Sequence, residues 1–529
     1  MNRPTPVFVA LIALSFAAQT FADDSMQDGA IVSSQVHPGC EKIDARSCLD
    51  LAIDAMGGYR RLADIHSVNY DSIGYVELAD QSPRQYPFLT AYERDEVTVD
   101  FDGQRLVRHE HLIWPESDPH TENVDVTMII DPQGARCRGT QGAMPCELLG
   151  LDSAEDALTM VPERLLLQAR AATDLHYGVS QWLRATPHTA LAFTWHGQQV
   201  QVLLNAYTHL PDALERTRLF RDFWLSWGDV RQRVYFDNWR LVQGVVLPTT
   251  YVEQRNGIEL GSTQIFNPVF NGAIDNEASA KASNGRTGDT APPLWNSPFS
   301  DKQHVELAPG IELYQGAWNT TLIKQDDGVL VLEAPISSTF VKAVLAKAHS
   351  EYPASPIKGV ISTSDSWPHI AGVRQAVADN LPVYVLDLNR PLLDALVAAP
   401  HSLRADDLQT HPAPPHWVTV GHQMELGQGP NRAILYPLRG ALTERQYMVY
   451  FPQYRLLYAS DTLAINPDKT LFFPEMMHEV AQAVAREHLQ VDTVFAMHEG
   501  PTSWAWVKKQ ITSASVAGEH PVPHDPSPE

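Results

Sequence analysis

The sequence predicts two folded units of different class: a mainly antiparallel β unit with a few helices (α+β) over residues 23–275, and a layered α/β unit, an αββα sandwich, over residues 299–515. Three observations carry this. Before residue 275 most segments alternate apolar and polar side chains with a period of two, as strands with one buried face do. After residue 299, short apolar runs alternate with amphipathic helix patterns, the rhythm of strands covered by helices. Between the two, residues 276–298 are poor in large aliphatics and rich in Ala, Ser, Gly, Asn and Pro, so they cannot bury enough surface to order themselves and read as a linker.

The chain opens with a processing signal over residues 1–22. Arg3 supplies a positive start, "VFVALIALSFAA" an apolar stretch too short to span a bilayer, and "TFA" the small residues that a signal peptidase reads. Cleavage after Ala22 and a periplasmic or secreted location are expected. No Cys stands at the new N-terminus and no later run is long or apolar enough to cross a bilayer, so no stable membrane insertion is expected. The four cysteines all precede residue 150. In an oxidising compartment, two close pairs argue for the local bridges Cys40–Cys48 and Cys137–Cys146, out of three formally possible pairings.

A helix over "SCLDLAIDAMGGYRRLADI" begins the first unit, and "SVNYDSIGYVEL", "LTAYERDEVTVDF", "QRLVRHEHLIW" and "VDVTMIID" follow as strands. The stretch "AEDALTMVPERLLLQARAA" is helical, and further strands run through "FTWHGQQVQVLLNAY" and "RQRVYFDNWRLVQGVVLPTTYVEQR". In the second unit a tight "DDG" turn joins two strands. "TFVKAVLAKAHSEY" is then a helix, "IKGVIS" a strand, "HIAGVRQAVADN" a helix, "PVYVLDL" a strand and "NRPLLDALVAAPH" a helix. "RAILYPL", "QYMVYFP" and "RLLYAS" return to strands before the helix "FPEMMHEVAQAVAREH" and the strand "VDTVFAMH". Residues 516–529 form a polar, proline-rich tail.

With 63 acidic against 39 basic side chains the net charge is −24, which repels nucleic acid and anionic lipid and sets nucleic acid aside as a partner. There is no G-x-S-x-G elbow and no G-x-x-x-x-G-K-[ST] loop, and "HEVAQ" at His478 has Gln482 where a zincin needs its second histidine. His401, His411, His416 and His422 fall in a Pro-rich connection and read as solvated.

Four segments, "GAWNTTLIKQDDGVLVLEAP", "STSDSWPHIAG", "YFPQYRLLYASDT" and "VFAMHEG", in this order and spacing, resemble the signature segments of the metallo-β-lactamase fold over about residues 303–510. The first unit, a helix ending in "AMGG" before long strands, resembles the curved-sheet lipoprotein-carrier type of domain. The metallo-β-lactamase resemblance implies a strand-end motif T-H-x-H-x-D-H-x-G-G, a later G-H-T, a strand-ending Asp and a final His. On this chain Ser364, Ser366 and Leu442 stand where three histidines would hold one metal, and Pro368 stands where the second metal's aspartate would be. His369, Asp461 and His498 remain at the other positions of that second metal.

Two imidazoles and a carboxylate suit one divalent metal with an open position; zinc is favoured, and the same set suits iron(II). Such an ion could polarise an oxygen or activate water. Asp365 and Glu444 are the candidates for handling the water proton. The expected function is therefore an exported single-metal hydrolase acting on a small molecule. The alternatives are a non-catalytic periplasmic protein that binds a ligand or partner, and an iron-dependent redox enzyme at the same triad. The first unit would shape substrate access or bind an apolar ligand. A purely structural reading stands beside these: Ser366 and Pro368 can begin a helix without chemistry, His369 can be a satisfied core histidine, and Asp461 can accept from loop amides. Substrate and oligomeric state are not fixed by these residues.

Overall fold

The computed structural model describes residues 31–33, 36–80, 85–113, 124–139, 142–144, 146, 148–274 and 297–517. The expected signal, nearly all of the linker and most of the tail lie outside the described residues. No helix among the described residues is long and apolar enough to cross a membrane.

Apart from a separate two-stranded ribbon over Arg240–Val242 and Val245–Leu247, the first part is built on one large antiparallel sheet. Its long strands are β1 (Ser67–Glu77), β2 (Thr90–Asp100), β3 (Arg105–Ile113), β4 (Val124–Asp131), β5 (Thr186–Trp195), β6 (Gln198–Asn205), β7 (Pro211–Arg218), β8 (Val230–Asp237), β9 (Thr250–Arg255) and β10 (Ile258–Phe270). Their spatial order, β5-β6-β7-β8-β9-β10-β1-β2-β3-β4, closes the chain's two runs of strands onto each other through the β10–β1 pair. The predicted first helix is two, α1 (Ala45–Ala55) and α2 (Tyr59–Ala63), because Gly57 and Gly58 take φ of +122° and +93°, which end a helix. The second predicted helix is also two, α3 (Leu148–Thr159) and α4 (Pro162–Ala171), broken where Pro162 removes an amide donor. Leu49, Ile53, Leu165 and Leu166 of these helices pack on Val68, Val97, Val99 and Met128 of the sheet, so the helices cover one of its faces. Cys40–Cys48 and Cys137–Cys146 are disulfide-bonded, with Cα atoms 5.5 and 5.1 Å apart, which indicates an oxidising compartment.

The second part has two sheets. The first contains β11 (His304–Ala308), β12 (Ile311–Tyr314), β13 (Thr320–Gln325), β14 (Gly328–Leu332), β15 (Ile357–Ser362), β16 (Pro382–Leu386) and β17 (His416–Val420) in sequence order, parallel from β14 onward. The second contains β18 (Met424–Leu426), β19 (Ala433–Pro437), β20 (Tyr447–Phe451), β21 (Leu456–Tyr458), β22 (Thr493–Phe495) and β23 (Thr502–Ser503). Alternation along β14 decides the layers. Leu330 and Leu332 join Val449, Phe451 and Phe495 in a core between the sheets, whereas Val329 and Val331 face α5 (Ser338–Glu351), α6 (Trp367–Ile370), α7 (Val373–Ala378) and α8 (Arg390–Ala398). The far face of the second sheet packs on α9 (Pro474–Arg486) and α10 (Trp504–Ala517).

The two parts share a core. Ala79, Phe220, Trp224, Val230 and Leu260 of the first belong to the same buried cluster as Trp367 and the α5 side chains of the second. Trp367 stands edge-on to Trp224 and Trp227 at centroid distances of 4.7 and 5.4 Å. Its amide donates to the Asp80 carbonyl (3.2 Å) and its carbonyl accepts from Ser226 Oγ (3.2 Å). Nearby, the Asp229 carboxylate accepts from the amides of Ser402 and Leu403. His401 is buried there against Gly228, 7% exposed, rather than solvated as its Pro-rich neighbours suggested; His411, His416 and His422 are exposed.

Candidate metal centre

The loop that follows β15 runs from Thr363 to Ser366 and enters α6 at Trp367. Pro368 fits the first turn, where its missing amide is no loss. Ser366 occupies the N-cap position, but its side chain makes no capping bond; its amide donates instead to Ser364 Oγ (3.1 Å). The predicted helix here breaks between α6 and α7. Gly372 lies in that break, packed so closely that a Cβ would come within 2.2 Å of Val341 Cγ2 on α5. This short α6 turn, pinned by the tryptophan cluster, aims His369 inward, and the imidazole is 2% exposed.

Asp461 follows the end of β21 and His498 follows the end of β22. Asp461 offers one oxygen to each imidazole: His369 Nε2 is 3.5 Å from Oδ2, and His498 Nε2 is 3.2 Å from Oδ1. One donor atom from each of the three lies within 4.8 Å of the others, and the two rings are 5.2 Å apart, edge to face. His498 Nδ1 hydrogen-bonds the Ala317 carbonyl (2.9 Å), which leaves Nε2 facing the cavity. His369 Nδ1 is buried without a partner, whereas its Nε2 faces Asp461.

The electrostatics follow from this enclosure. Burial pushes the His369 imidazole down to about 4, with Asp461 pulling the other way. Burial alone would raise the Asp461 carboxyl, but His369 and His498 outweigh it and hold it below its ordinary value. Burial also works against the charged form of His498, yet the Asp461 contact overcomes it and raises that group. A neutral His369 and an ionised Asp461 are the states in which these side chains bind a cation, whereas His498, favoured as the imidazolium by Asp461, gives up its Nε2 proton to do so. Three donor atoms that lie within 4.8 Å of one another can close on one ion with bonds of about 2.0–2.1 Å through small side-chain movements. The donor set therefore fits one divalent metal.

Beneath the triad, Glu333 follows β14 in a left-handed backbone conformation (φ +76°) and is 1% exposed. It accepts from Thr363 Oγ1, from the Thr363 amide (3.3 Å) and from Tyr458 OH (3.1 Å). Thr363 Oγ1 also meets Ser460 Oγ at 2.7 Å, and Ser460 is itself left-handed (φ +60°). This network ties the 364–369 loop to the residue before Asp461, holding side chains of two sheets in one place. Burial pushes Glu333 up to about 8, against the pull of Thr363 and Tyr458.

Of the candidate proton-handling residues, Asp365 lines the cavity beside the triad and Glu444 does not, although both Leu442 and Arg445 of its turn do. Asp365 is 5% exposed, accepts from Gln85 Nε2 (2.7 Å) and lies 3.7 Å from Arg445 Nε. Burial raises its carboxyl to about 7, with Arg445 and Gln85 opposing. Ser364, Ser366, Pro368 and Leu442 line the same cavity of about 270 Å³. The sequence reading missed its apolar walls, Phe223, Trp318, Phe472, Phe473 and Met476. The run "FFPEMM" is visible as an apolar patch before α9, whereas Phe223 and Gln85 come from the first part of the chain and carried no sequence signal.

No family model matches the chain, and no curated protein does. Among solved structures it is similar to TMB-1, at 14% identity over 41% of this chain and 98% of that one, with a TM-score of 0.33. A metallo-β-lactamase from Pontibacter korlensis is similar at 12% identity over 40% of this chain and 97% of that one, with a TM-score of 0.32. The stereoselective inverting sec-alkylsulfatase Pisa1 from Pseudomonas sp. is similar at 13% identity over 40% and 41% of the two chains, with a TM-score of 0.30. These neighbours are metallo-β-lactamase-fold proteins. At such scores the similarity carries nothing for the chemistry, and the centre stands on its own geometry.

Proposed function

We propose that the chain is an exported hydrolase that uses one divalent metal, zinc by preference, held by His369, Asp461 and His498 in an αββα unit of metallo-β-lactamase type. The first unit, residues 23–275, and the second, residues 299–515, are joined by a linker over residues 276–298. One observation carries the reading: two imidazoles and the carboxylate between them bring one donor atom each within 4.8 Å of one another. When bound, such an ion polarises a substrate oxygen and makes water more acidic. Asp365, poised near neutral by burial, takes the proton of a water held in the cavity, and Arg445 keeps its carboxylate in place. Phe223, Trp318, Phe472 and Phe473 exclude water and hold the apolar part of a small-molecule substrate. Ser364, Ser366 and Leu442 supply no imidazole, so only one metal is held.

The test is elemental analysis of chain purified without chelator, with His369→Ala and His498→Ala alongside. One equivalent of zinc in the wild type and less than a tenth in each variant is the expected result. Less than a tenth in the wild type would refute the metal reading and leave a ligand-binding protein, which the cavity with its aromatic walls also suits. One equivalent of iron instead of zinc would turn the chemistry toward redox.

A further inference from the structure

Two segments of the first part reach the cavity beside the triad. One carries Phe223, which walls it. The other is the turn between β1 and β2, closed where the Leu78 amide donates to the Leu89 carbonyl (2.8 Å). This turn is seated in the second part before and after Gln85. Ala79 is buried in the cluster that holds Trp367 and the α5 side chains, the Asp80 carbonyl accepts from the Trp367 amide (3.2 Å), and Phe88 packs against the same cluster. From this seat Gln85 Nε2 donates to Asp365 Oδ2 (2.7 Å).

Asp365 is 5% exposed, so solvent does not set its orientation. Two charged groups bear on it: Arg445 attracts its ionised form and Asp461 repels it, while His369 and His498 line the same cavity. Arg445 Nε stands 3.7 Å from Oδ2, too far for a hydrogen bond, and is buried without one. Its Nη1 donates to the Leu388 carbonyl instead (2.7 Å). The guanidinium therefore attracts the carboxylate without fixing its rotation. Gln85 supplies the short, directional contact, and it falls on the same oxygen, Oδ2. In agreement, burial raises the carboxyl most, while Arg445, Gln85 and the residue's own amide favour the ionised form.

We propose that Gln85 is a positioning residue of the centre: its amide holds Asp365 Oδ2, so that Oδ1 takes the proton of the water, and a side chain of the first unit thereby completes the proton acceptor of the second. This rests on the hydrolase reading, in which Asp365 accepts that proton. The proton passes from the water oxygen to Oδ1, and Gln85 exchanges none. A carboxamide suits the task because its N–H bonds the ionised carboxylate, does not titrate, and adds no charge beside Arg445. The first unit is then part of the catalytic centre as well as a wall of its cavity.

Infrared difference spectra of the full chain, wild type against Asp365→Asn, isolate the carbonyl stretch of the protonated Asp365 carboxyl, and its loss with rising pH gives the midpoint of that group. The wild-type midpoint is expected at about 7. Gln85→Met keeps the length of the side chain and removes the donor. Referenced to the same variant combined with Asp365→Asn, its midpoint should rise by about one pH unit, the worth of one hydrogen bond to a carboxylate. Its metal content should equal that of the wild type, since no ligand is touched. An unchanged midpoint would overturn the proposal, because a side chain that only packs is replaced by one that packs equally. Loss of metal would overturn it too, since Gln85 would then serve the ligands rather than the acid. A wild type that holds no metal would sink the hydrolase reading instead, and the midpoint difference would still decide whether Gln85 holds Asp365. Should Gln85→Met fail to fold, Gln85→Ala is read in the same way.

Discussion

Replacing Glu163 by Gln should stabilise the protein, and only above mildly acidic pH. The carboxyl sits at the first turn of α4, 2% exposed, with Oε2 unbonded, and burial raises it from an ordinary value of 4.5 to about 7. A raised acid is held protonated by the fold while the unfolded chain has already released its proton. Between about 4.5 and 7 the native state therefore binds more protons, and stability falls as pH rises. Above 7 the loss is complete. A shift of roughly 2.5 pKa steps at 1.36 kcal/mol each amounts to about 3 kcal/mol. Gln is neutral at every pH and nearly isosteric, so it escapes this cost while its amide can still occupy the site. Urea unfolding followed by circular dichroism, with disulfides intact, at pH 4 and pH 8 measures it. The variant should match the wild type at pH 4 within about 0.5 kcal/mol and exceed it by about 3 kcal/mol at pH 8. An equal effect at both pH values, or destabilisation at pH 8, would refute an uncompensated buried carboxyl.

Two further outcomes test the joint between the units and the chemistry. Asp365→Asn should lower hydrolysis by about 10²–10⁴-fold while the metal content stays at the wild-type level, because a proton acceptor is removed and no ligand is; loss of metal would make Asp365 a ligand instead. Gly228→Ala should cost about 2–3 kcal/mol, read as a fall in melting temperature. Gly228 has φ +63°, and an added Cβ would stand 2.4 Å from His401 Cδ2 and 2.6 Å from the Pro400 carbonyl; an unchanged melting temperature would mean that this contact between the units does not hold.

Much of this architecture is legible along the chain because it is local. Alternation in "YERDEVTVDF" places Glu93, Asp95, Val97 and Val99 on one face, and the tight "DDG" turn joins β13 to β14 as read. Helix limits were less legible where glycines and a proline intervened, at Gly57–Gly58 and at Pro162, since periodicity persists across a break. The spacing of four signature segments brought His369, Asp461 and His498 into consideration together, and the two cysteine pairs likewise followed from short separations.

What the sequence determined by itself, then, is which residues are available: two imidazoles and a carboxylate at strand ends, with no further histidines at the neighbouring motif positions. Tertiary structure decided what surrounds them. Gln85, reaching Asp365 across 280 residues of chain, Phe223, which walls the cavity, and Trp224, which packs edge-on against Trp367, come from the first part of the chain. The unbonded buried acceptors Asp95 Oδ1 and Glu163 Oε2 are likewise invisible in a strand pattern, because alternation reports which face a side chain takes. Whether a buried group finds a partner depends on atoms brought together from distant parts of the chain, and only the packed fold sets that.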